Sequence, residues 1–382
     1  MKPCKTPQFV RALLAAGVLA GCAADAPAQT TEFKSQHHAY RVVPVVSGLE
    51  FPWGLAFLPG GDMLVTERPG RLRLVRGGKL QPDPIQGVPA VWAQGQGGLL
   101  DVALHPNFAS NRLVYLSYSK PGEQGATTAV IRGRLDGNRL ADVREIIEMS
   151  AWGRNRVHFG SRMVFDRQGY LYVTVGERGE MQRAQDLSDH AGGVLRLHDD
   201  GRVPADNPFV GRQGVEPEIW TYGNRSPQGL AVHPVTGEIW EAEHGPRGGD
   251  ELNLIKPGAN YGWPVITYGI NYNGRPISDI TEKAGMEQPV HYWVPSIATS
   301  GLAIYNGDKF TNWRGDFFVG GLAGMQLARV RVKDGKSVES EKLLDGFGQR
   351  IRDVRVGPDG LLYLLTDAAT GAIVRLEPTG TR

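Results

Sequence analysis

The chain has 382 residues, with 51 Gly, 25 Pro, 21% charged residues and a formal net charge of +2. This is a globular, turn-rich composition, with too few acidic blocks for a disordered tail and no basic stretch that points to nucleic acid. Closed all-β architectures of this length run as one unit, so the length does not require several domains.

Residues 1–30 read as a targeting segment and linker ahead of one domain over residues 31–382. Lys2, Lys5 and Arg11 give a positive n-region, and residues 10–20 an apolar stretch too short to cross a bilayer as a mature helix. Leu19-Ala20-Gly21-Cys22 follows, with the small-residue pattern of a bacterial lipoprotein cleavage site. Cys22 would then be a lipidated N-terminus. Ordinary signal cleavage after Ala26-Pro27-Ala28 is the alternative. Either route predicts export to the periplasm, and the first adds a membrane anchor. Cys4 and Cys22 both lie in this segment, so the mature fold is expected to hold no disulfide.

Residues 40–46 form an alternating run. After it come six segments with one pattern: three residues of an alternating strand, a Pro/Gly/Asp-type turn, then a second alternating strand. In chain order the pairs are Leu55-Ala56-Phe57 with Met63-Leu64-Val65 and Val102-Ala103-Leu104 with Leu113-Val114-Tyr115-Leu116. Met163-Val164-Phe165 goes with Tyr170-Leu171-Tyr172-Val173, and Leu230-Ala231-Val232 with Glu238-Ile239-Trp240. Leu302-Ala303-Ile304 goes with Phe317-Phe318-Val319, and Val354-Arg355-Val356 with Leu361-Leu362-Tyr363-Leu364. Short alternating runs bounded by turn residues are half-buried strands, and their recurrence marks a repeat architecture. The spacing is uneven, which suits a propeller whose loops project freely. No long amphipathic helical stretch appears, which disfavours a parallel α/β sheet. The prediction is an all-β, six-bladed β-propeller, with the N-terminal strand closing the last blade.

In such a ring, function belongs to the loops before each first strand and after each second strand. Gln96 precedes the second repeat and His158 the third. Asn224, Arg225 and Gln228 precede the fourth, Thr299 and Ser300 the fifth, and Arg350 and Arg352 the sixth. Equivalent positions of different blades face one end of the channel, so these groups should converge. Clustered guanidinium groups bind carboxylate or phosphate, although each could instead pair with a structural carboxylate, as Asp353 beside Arg352 would allow. A His among them is a candidate general base, its ordinary pKa being near neutrality. Glu243-His244-Gly245-Pro246-Arg247-Gly248-Gly249-Asp250-Glu251 offers carbonyl and carboxylate oxygens of the kind Ca²⁺ prefers. The alternative is a tight loop held by Asp250 accepting backbone N–H bonds.

Together these stretches resemble the soluble aldose sugar dehydrogenases that use pyrroloquinoline quinone (PQQ), relatives of the soluble quinoprotein glucose dehydrogenase. Gly95-Gln96-Gly97-Gly98-Leu99-Leu100, His158 to Arg162, Tyr222-Gly223-Asn224-Arg225-Ser226-Pro227-Gln228-Gly229, Asn260-Tyr261-Gly262-Trp263-Pro264 and Gln349-Arg350-Ile351-Arg352-Asp353-Val354 carry the likeness, in family order. The resemblance implies oxidation of aldose sugars to lactones by hydride transfer to PQQ, with Ca²⁺ and an unidentified electron acceptor. It implies that His158 is the base, that Gln96 contacts substrate, and that Arg225, Ser226, Leu322, Ala323, Arg350 and Arg352 border the cofactor. The carbonyls of Gly245 and Pro246 match ligands of the Ca²⁺ beside the cofactor. Glu251 and Tyr261 match a further, structural Ca²⁺ site. Ser226 stands where the family often has Asn, and Ala323 where a Lys commonly reaches the cofactor. Val157 replaces an Asp of the glucose-specialised branch, which favours the broader aldose branch. Two other functions fit a propeller of this kind: a calcium-dependent lactonase, and a binding module without catalysis.

Overall fold

The computed structural model describes residues 31–380 and Met1; the leader read from the sequence, with Cys4 and Cys22, lies outside the described residues. Each of the six repeats is an antiparallel sheet of four or five strands. The first strands are Pro52–Phe57, Leu99–Leu104, Met163–Phe165, Pro227–Val232, Thr299–Ile304 and Ile351–Val356, and these pack against one another around the axis. The expected propeller is therefore the fold. Helix is confined among the described residues to a four-residue turn at Phe108–Asn111 and two 3₁₀ turns.

The N-terminal strand Ala39–Leu49 pairs antiparallel with Gly371–Pro378, from Tyr40 opposite Pro378 to Leu49 opposite Gly371. It is the fourth strand of the last blade, and Glu32–Lys34 adds a fifth. Joining both ends of the chain in one sheet closes the ring. Alternating Leu, Val and Ile side chains pack between neighbouring blades, as Leu64, Leu72 and Leu74 do against Val102, Val114 and Leu116. Each such side chain contributes about 1.5–3 kcal/mol on burial.

Two devices aim polar groups at the axis. Five of the six first strands carry a register shift against their second strand, at Pro52/Leu55, Leu99/Val102, Pro227/Gly229, Thr299/Leu302 and Ile351/Asp353. A bulge re-aims the extra residue. Here those residues include Trp53, Leu100, Gln228 and Arg352, and these four line one axial cavity with Gln96, Phe159 and Gly160. The second device is a set of hydroxyls joining neighbouring blades: Ser117 Oγ donates to Ser161 O at 2.7 Å, Thr174 Oγ1 to Pro227 O at 2.9 Å, and Ser300 Oγ to Ile351 O at 2.6 Å.

A compensated charge cluster ties the first strands together at the axis. Arg162 Nη1 lies 3.0 Å from Asp101 and 3.1 Å from Asp353; Arg355 reaches Asp101 at 3.0 Å and Asp353 at 2.9 Å. The same carboxylates accept the backbone N–H of Met163 at 2.9 Å and Leu55 at 3.1 Å. The pairing of Arg352 with its neighbour Asp353, which the sequence allowed, is not made. Successive side chains of a strand point to opposite sides. Asp353 therefore faces Arg162 and Arg355, while Arg352 faces Asp367.

Candidate active site

His158 sits just before the third blade with a left-handed backbone, φ 54°. Three neighbours hold it there. Gln96 Oε1 accepts its backbone N–H at 2.8 Å. Gly176 lets the His158 carbonyl approach, because a Cβ there would meet that oxygen at 2.3 Å. Glu177 Oε2 lies 2.5 Å from His158 Nδ1 and also accepts the Gly179 N–H at 2.6 Å. A carboxylate at Nδ1 places the ring proton on that nitrogen and leaves the Nε2 lone pair free. The ring is mostly buried, with 12% of its side chain exposed. Burial pushes the His158 pKa below its ordinary value and the Arg225 charge adds to that, while Glu177 opposes it. The neutral ring is the form that can accept a proton.

Arg225 comes from the turn into the fourth blade. Its Nη1 donates to the carbonyls of His244 at 2.8 Å and Gly245 at 2.7 Å, and no carboxylate lies within ion-pair distance of its guanidinium among the described residues. Its backbone carbonyl accepts the Glu177 N–H at 2.9 Å, linking the partner of His158 to the arginine turn. Ser226 is buried beside it, its hydroxyl without a partner. From the sixth blade, Arg352 donates to Gln228 Oε1 at 2.8 Å and to Asp367 at 3.0 Å, and its buried Nε has no partner. Arg350, half exposed, shares Asp367 at 3.3 Å and reaches Leu322 O at 3.4 Å. Leu322 and Ala323 turn here, their N–H groups bonded to Ala298 and Ile297 carbonyls, with the Ala323 side chain exposed.

The structure therefore brings together Gln96 with His158, His158 with Arg225, and Gln228 with Arg352. Thr299, Ser300, Gln228 and Arg352 lie within first strands rather than ahead of them, as the bulges explain. The site also contains groups that the sequence reading did not assign: Arg68, Glu177, His244 and Asp367. Each lies within two residues after the second strand of its blade, at Met63–Glu67, Leu171–Val175, Ile239–Glu243 and Leu362–Thr366. Blade phase was the available signal, since the loop after each second strand was already an expected location. Arg68 lies over the Phe51 ring at 4.6 Å with no ion-pair partner among the described residues, yet feels Asp367, Arg352 and Arg350. His244 faces Arg225, His158, Arg352 and Arg350, and its buried Nδ1 has no partner.

Next to this mouth, Gly245 O is occupied by Arg225, while Pro246 O accepts no hydrogen bond among the described residues. Asp250 holds the loop as a structural group, accepting from Gly245 and Ile297 N–H at 2.8 Å each and from the Ser296 hydroxyl. Glu251 stands opposite Glu243 in the sheet. Burial and mutual repulsion push the carboxyl groups of Glu241 and Glu251 well up, and that of Glu243 up to about 7. Asn224 Oδ1, Asn253 Oδ1 and Glu241 Oε1 are buried without donors in the same cluster. The Tyr261 hydroxyl donates to Leu254 O at 2.6 Å, leaving its carbonyl free of hydrogen bonds among the described residues. A different group, His190 with Glu216 and Glu218, has ligand-type atoms close together. Its Nδ1 accepts the Ser150 N–H at 3.0 Å, so the ring proton is on Nε2, directed at Glu218 at 3.2 Å. A protonated nitrogen does not bind metal, so this is a hydrogen-bonded cluster.

Arginines gathered near a buried His–Glu pair, on a closed propeller, form the candidate site. The chain belongs to the glucose/sorbosone dehydrogenase family, whose profile matches residues 49–375, and it is an oxidoreductase. It is 48% identical to the aldose sugar dehydrogenase YliI of Escherichia coli over 336 residues, covering 86% of this chain and 91% of that one. The crystal structure of the soluble aldose sugar dehydrogenase from Escherichia coli in its apo form superposes with a TM-score of 0.85 at 46% identity, over 89% of this chain and 99% of that one. The PQQ-bound aldose sugar dehydrogenase of Streptomyces coelicolor gives 0.74 at 30% identity, over 88% and 97%.

Proposed function

We propose that this protein oxidises aldose sugars at the anomeric carbon to lactones, with PQQ as cofactor and His158 as the general base. The observation that carries this reading is a neutral base, with Nε2 free, among arginines that protein carboxylates do not balance. Arg350 and Arg352 share one Asp367, while Arg225 and Arg68 have no ion-pair partner among the described residues. Such a mouth suits a ligand with several carboxylates. The unpartnered Arg352 Nε, Ser226 hydroxyl and His244 Nδ1 add polar atoms that a bound ligand could satisfy.

Arg225, Arg350 and Arg352, with Ser226 and the Leu322–Ala323 turn, would hold the cofactor. When bound, PQQ supplies a two-electron acceptor for the hydride of the sugar C1–H. His158 Nε2 takes the proton of the anomeric hydroxyl, and Glu177 stabilises the resulting imidazolium through Nδ1. Gln96 keeps the backbone of His158 in place and would contact the sugar. Arg225 would stabilise negative charge developing on the acceptor. Ca²⁺ fits two donor sets. One is the Pro246 and Gly245 carbonyls, the latter after Arg225 releases it. The other is the acidic cluster of Glu251, with the Tyr261 carbonyl near it. Export through the N-terminal leader, with Cys22 as a lipid anchor, remains part of this reading, as does a separate electron acceptor.

Reconstitution with PQQ and Ca²⁺, followed by dye-linked assays with mono- and disaccharides, tests the reading. Dye reduction that depends on both additions is expected. A demonstrably loaded protein that reduces no dye with any aldose overturns it.

A further inference from the structure

Arg178 is fully buried, yet no carboxylate lies within ion-pair distance of it among the described residues. A guanidinium without a counter-ion is costly to bury unless its donors are otherwise satisfied. Here the two terminal nitrogens are directed mainly at one loop, and the buried Nε has no partner among the described residues. Nη1 donates to Val157 O, and Nη2 to Asn155 O at 2.8 Å and Ala126 O at 3.4 Å. The guanidinium carbon lies over the Phe159 ring, 3.5 Å from its centroid. Val157 and Phe159 are the two neighbours of His158, so one side chain grips both flanks of the base. Arg178 also follows Glu177 directly, and its own backbone is left-handed, φ 61°. That turn sends successive side chains to the His158 ring and to the His158 loop.

We propose that Arg178 is a positioning residue for the base: it clamps the loop around His158 so that the ring meets Glu177 and the arginines in a single orientation. The proposal rests on the reading of His158 as the base. The strained φ of His158 makes the need concrete, because a non-glycine residue in that region keeps it only where its surroundings impose it. The groups facing the ring are Glu177 and Arg178 from the third blade, Arg225 and His244 from the fourth, and Gln96 from the second. Gln96 also bonds this segment, its N–H to Arg156 O at 2.8 Å, but Arg178 bonds the Asn155 and Val157 carbonyls and packs on the Phe159 ring as well.

The test compares Arg178→Met and Arg178→Lys with the unaltered protein in three readouts. PQQ affinity is measured by titration. Steady-state kinetics separate kcat from KM. In the quinone-free protein, NMR follows the downfield His158 Nδ1 proton held against Glu177, assigned by its loss in His158→Ala. For Arg178→Met the expected result is unchanged PQQ affinity and KM within about twofold, kcat lower by about 100-fold as for a misplaced catalytic group, and loss of the downfield resonance. Arg178→Lys keeps the charge but not the fork, and should fall between. If Arg178→Met does not fold, Arg178→Lys and Phe159→Leu decide, each expected to lower kcat several-fold with the resonance broadened. Folded variants with full kcat and an intact resonance overturn the proposal. If instead His158→Ala keeps turnover, the base assignment fails, and the resonance still reports whether Arg178 orients the ring.

Discussion

The axis and the mouth of this propeller are built from the same kind of residue and use it differently. At the axis, Arg162 and Arg355 face Asp101 and Asp353, two charges against two, with the carboxylates also taking backbone N–H groups. At the mouth, Arg350 and Arg352 share one carboxylate, Asp367, while Arg68 and Arg225 make no ion pair among the described residues. Neighbouring residues of one bulged strand, Arg352 and Asp353, are divided between the two regions. Complete pairing is the mark of a structural cluster that locks blades together. Incomplete charge pairing is what the proposed anionic ligand would complete; buried nitrogens without a partner among the described residues occur in both regions, Arg162 Nη2 at the axis and Arg352 Nε at the mouth.

Four substitutions sharpen that contrast, from the largest expected effect to the smallest. His158→Ala should lower kcat by about 10³–10⁴-fold, the upper range for loss of a general base, with PQQ affinity nearly unchanged in a direct titration. Asp101→Asn removes the charge between two buried arginines and should cost about 3–5 kcal/mol in denaturant unfolding, without a specific loss of PQQ affinity in the folded fraction. Arg352→Gln should do the reverse, weakening PQQ binding by about 10–100-fold with little change in stability. Arg68→Gln should weaken binding by only several-fold, more at low salt than at high salt, because this cation is less buried. If Asp101→Asn and Arg352→Gln gave the same profile, the distinction between axis and mouth would fail.

pH and metal extend the comparison. The His158 pKa lies below its ordinary value, so the base is neutral above that lowered pKa and is lost only as pH falls through it. The acidic limb of kcat/KM should therefore have its midpoint below about 6.5. Glu177 is the group that raises this pKa, so Glu177→Gln should move the limb lower still and reduce the plateau by about 10–100-fold. Removing Ca²⁺ with a chelator should lower the melting temperature, since Glu241, Glu243 and Glu251 would then face one another without a cation. Glu251→Gln should blunt that response.

The ring was legible because the blade repeat writes itself into the chain as alternating strands and turns. Even the closing strand was visible, with residues 40–46 inside the observed Ala39–Leu49. The convergence of Gln96, His158, Arg225 and Arg352 followed from repeat phase. The fate of Asp353 did not, because a bulge inserts one residue without changing the hydrophobic pattern, and which neighbour faces the axis depends on it. Glu177 was missed because a lone Glu after a buried strand has no motif. Its role appears only where Gly176 allows the His158 backbone to touch that turn. Arg178 and Asp367 are similar cases: ordinary charged residues whose partners come from elsewhere in the chain.

The most direct test is an anaerobic single turnover. Protein loaded stoichiometrically with PQQ and Ca²⁺ is mixed with an aldose, and the cofactor absorbance is followed. The account predicts complete reduction of one equivalent in the unaltered protein, and an equally loaded but unreduced cofactor in His158→Ala. A loaded protein that no aldose reduces, or a His158→Ala variant reduced at the same rate, would contradict it.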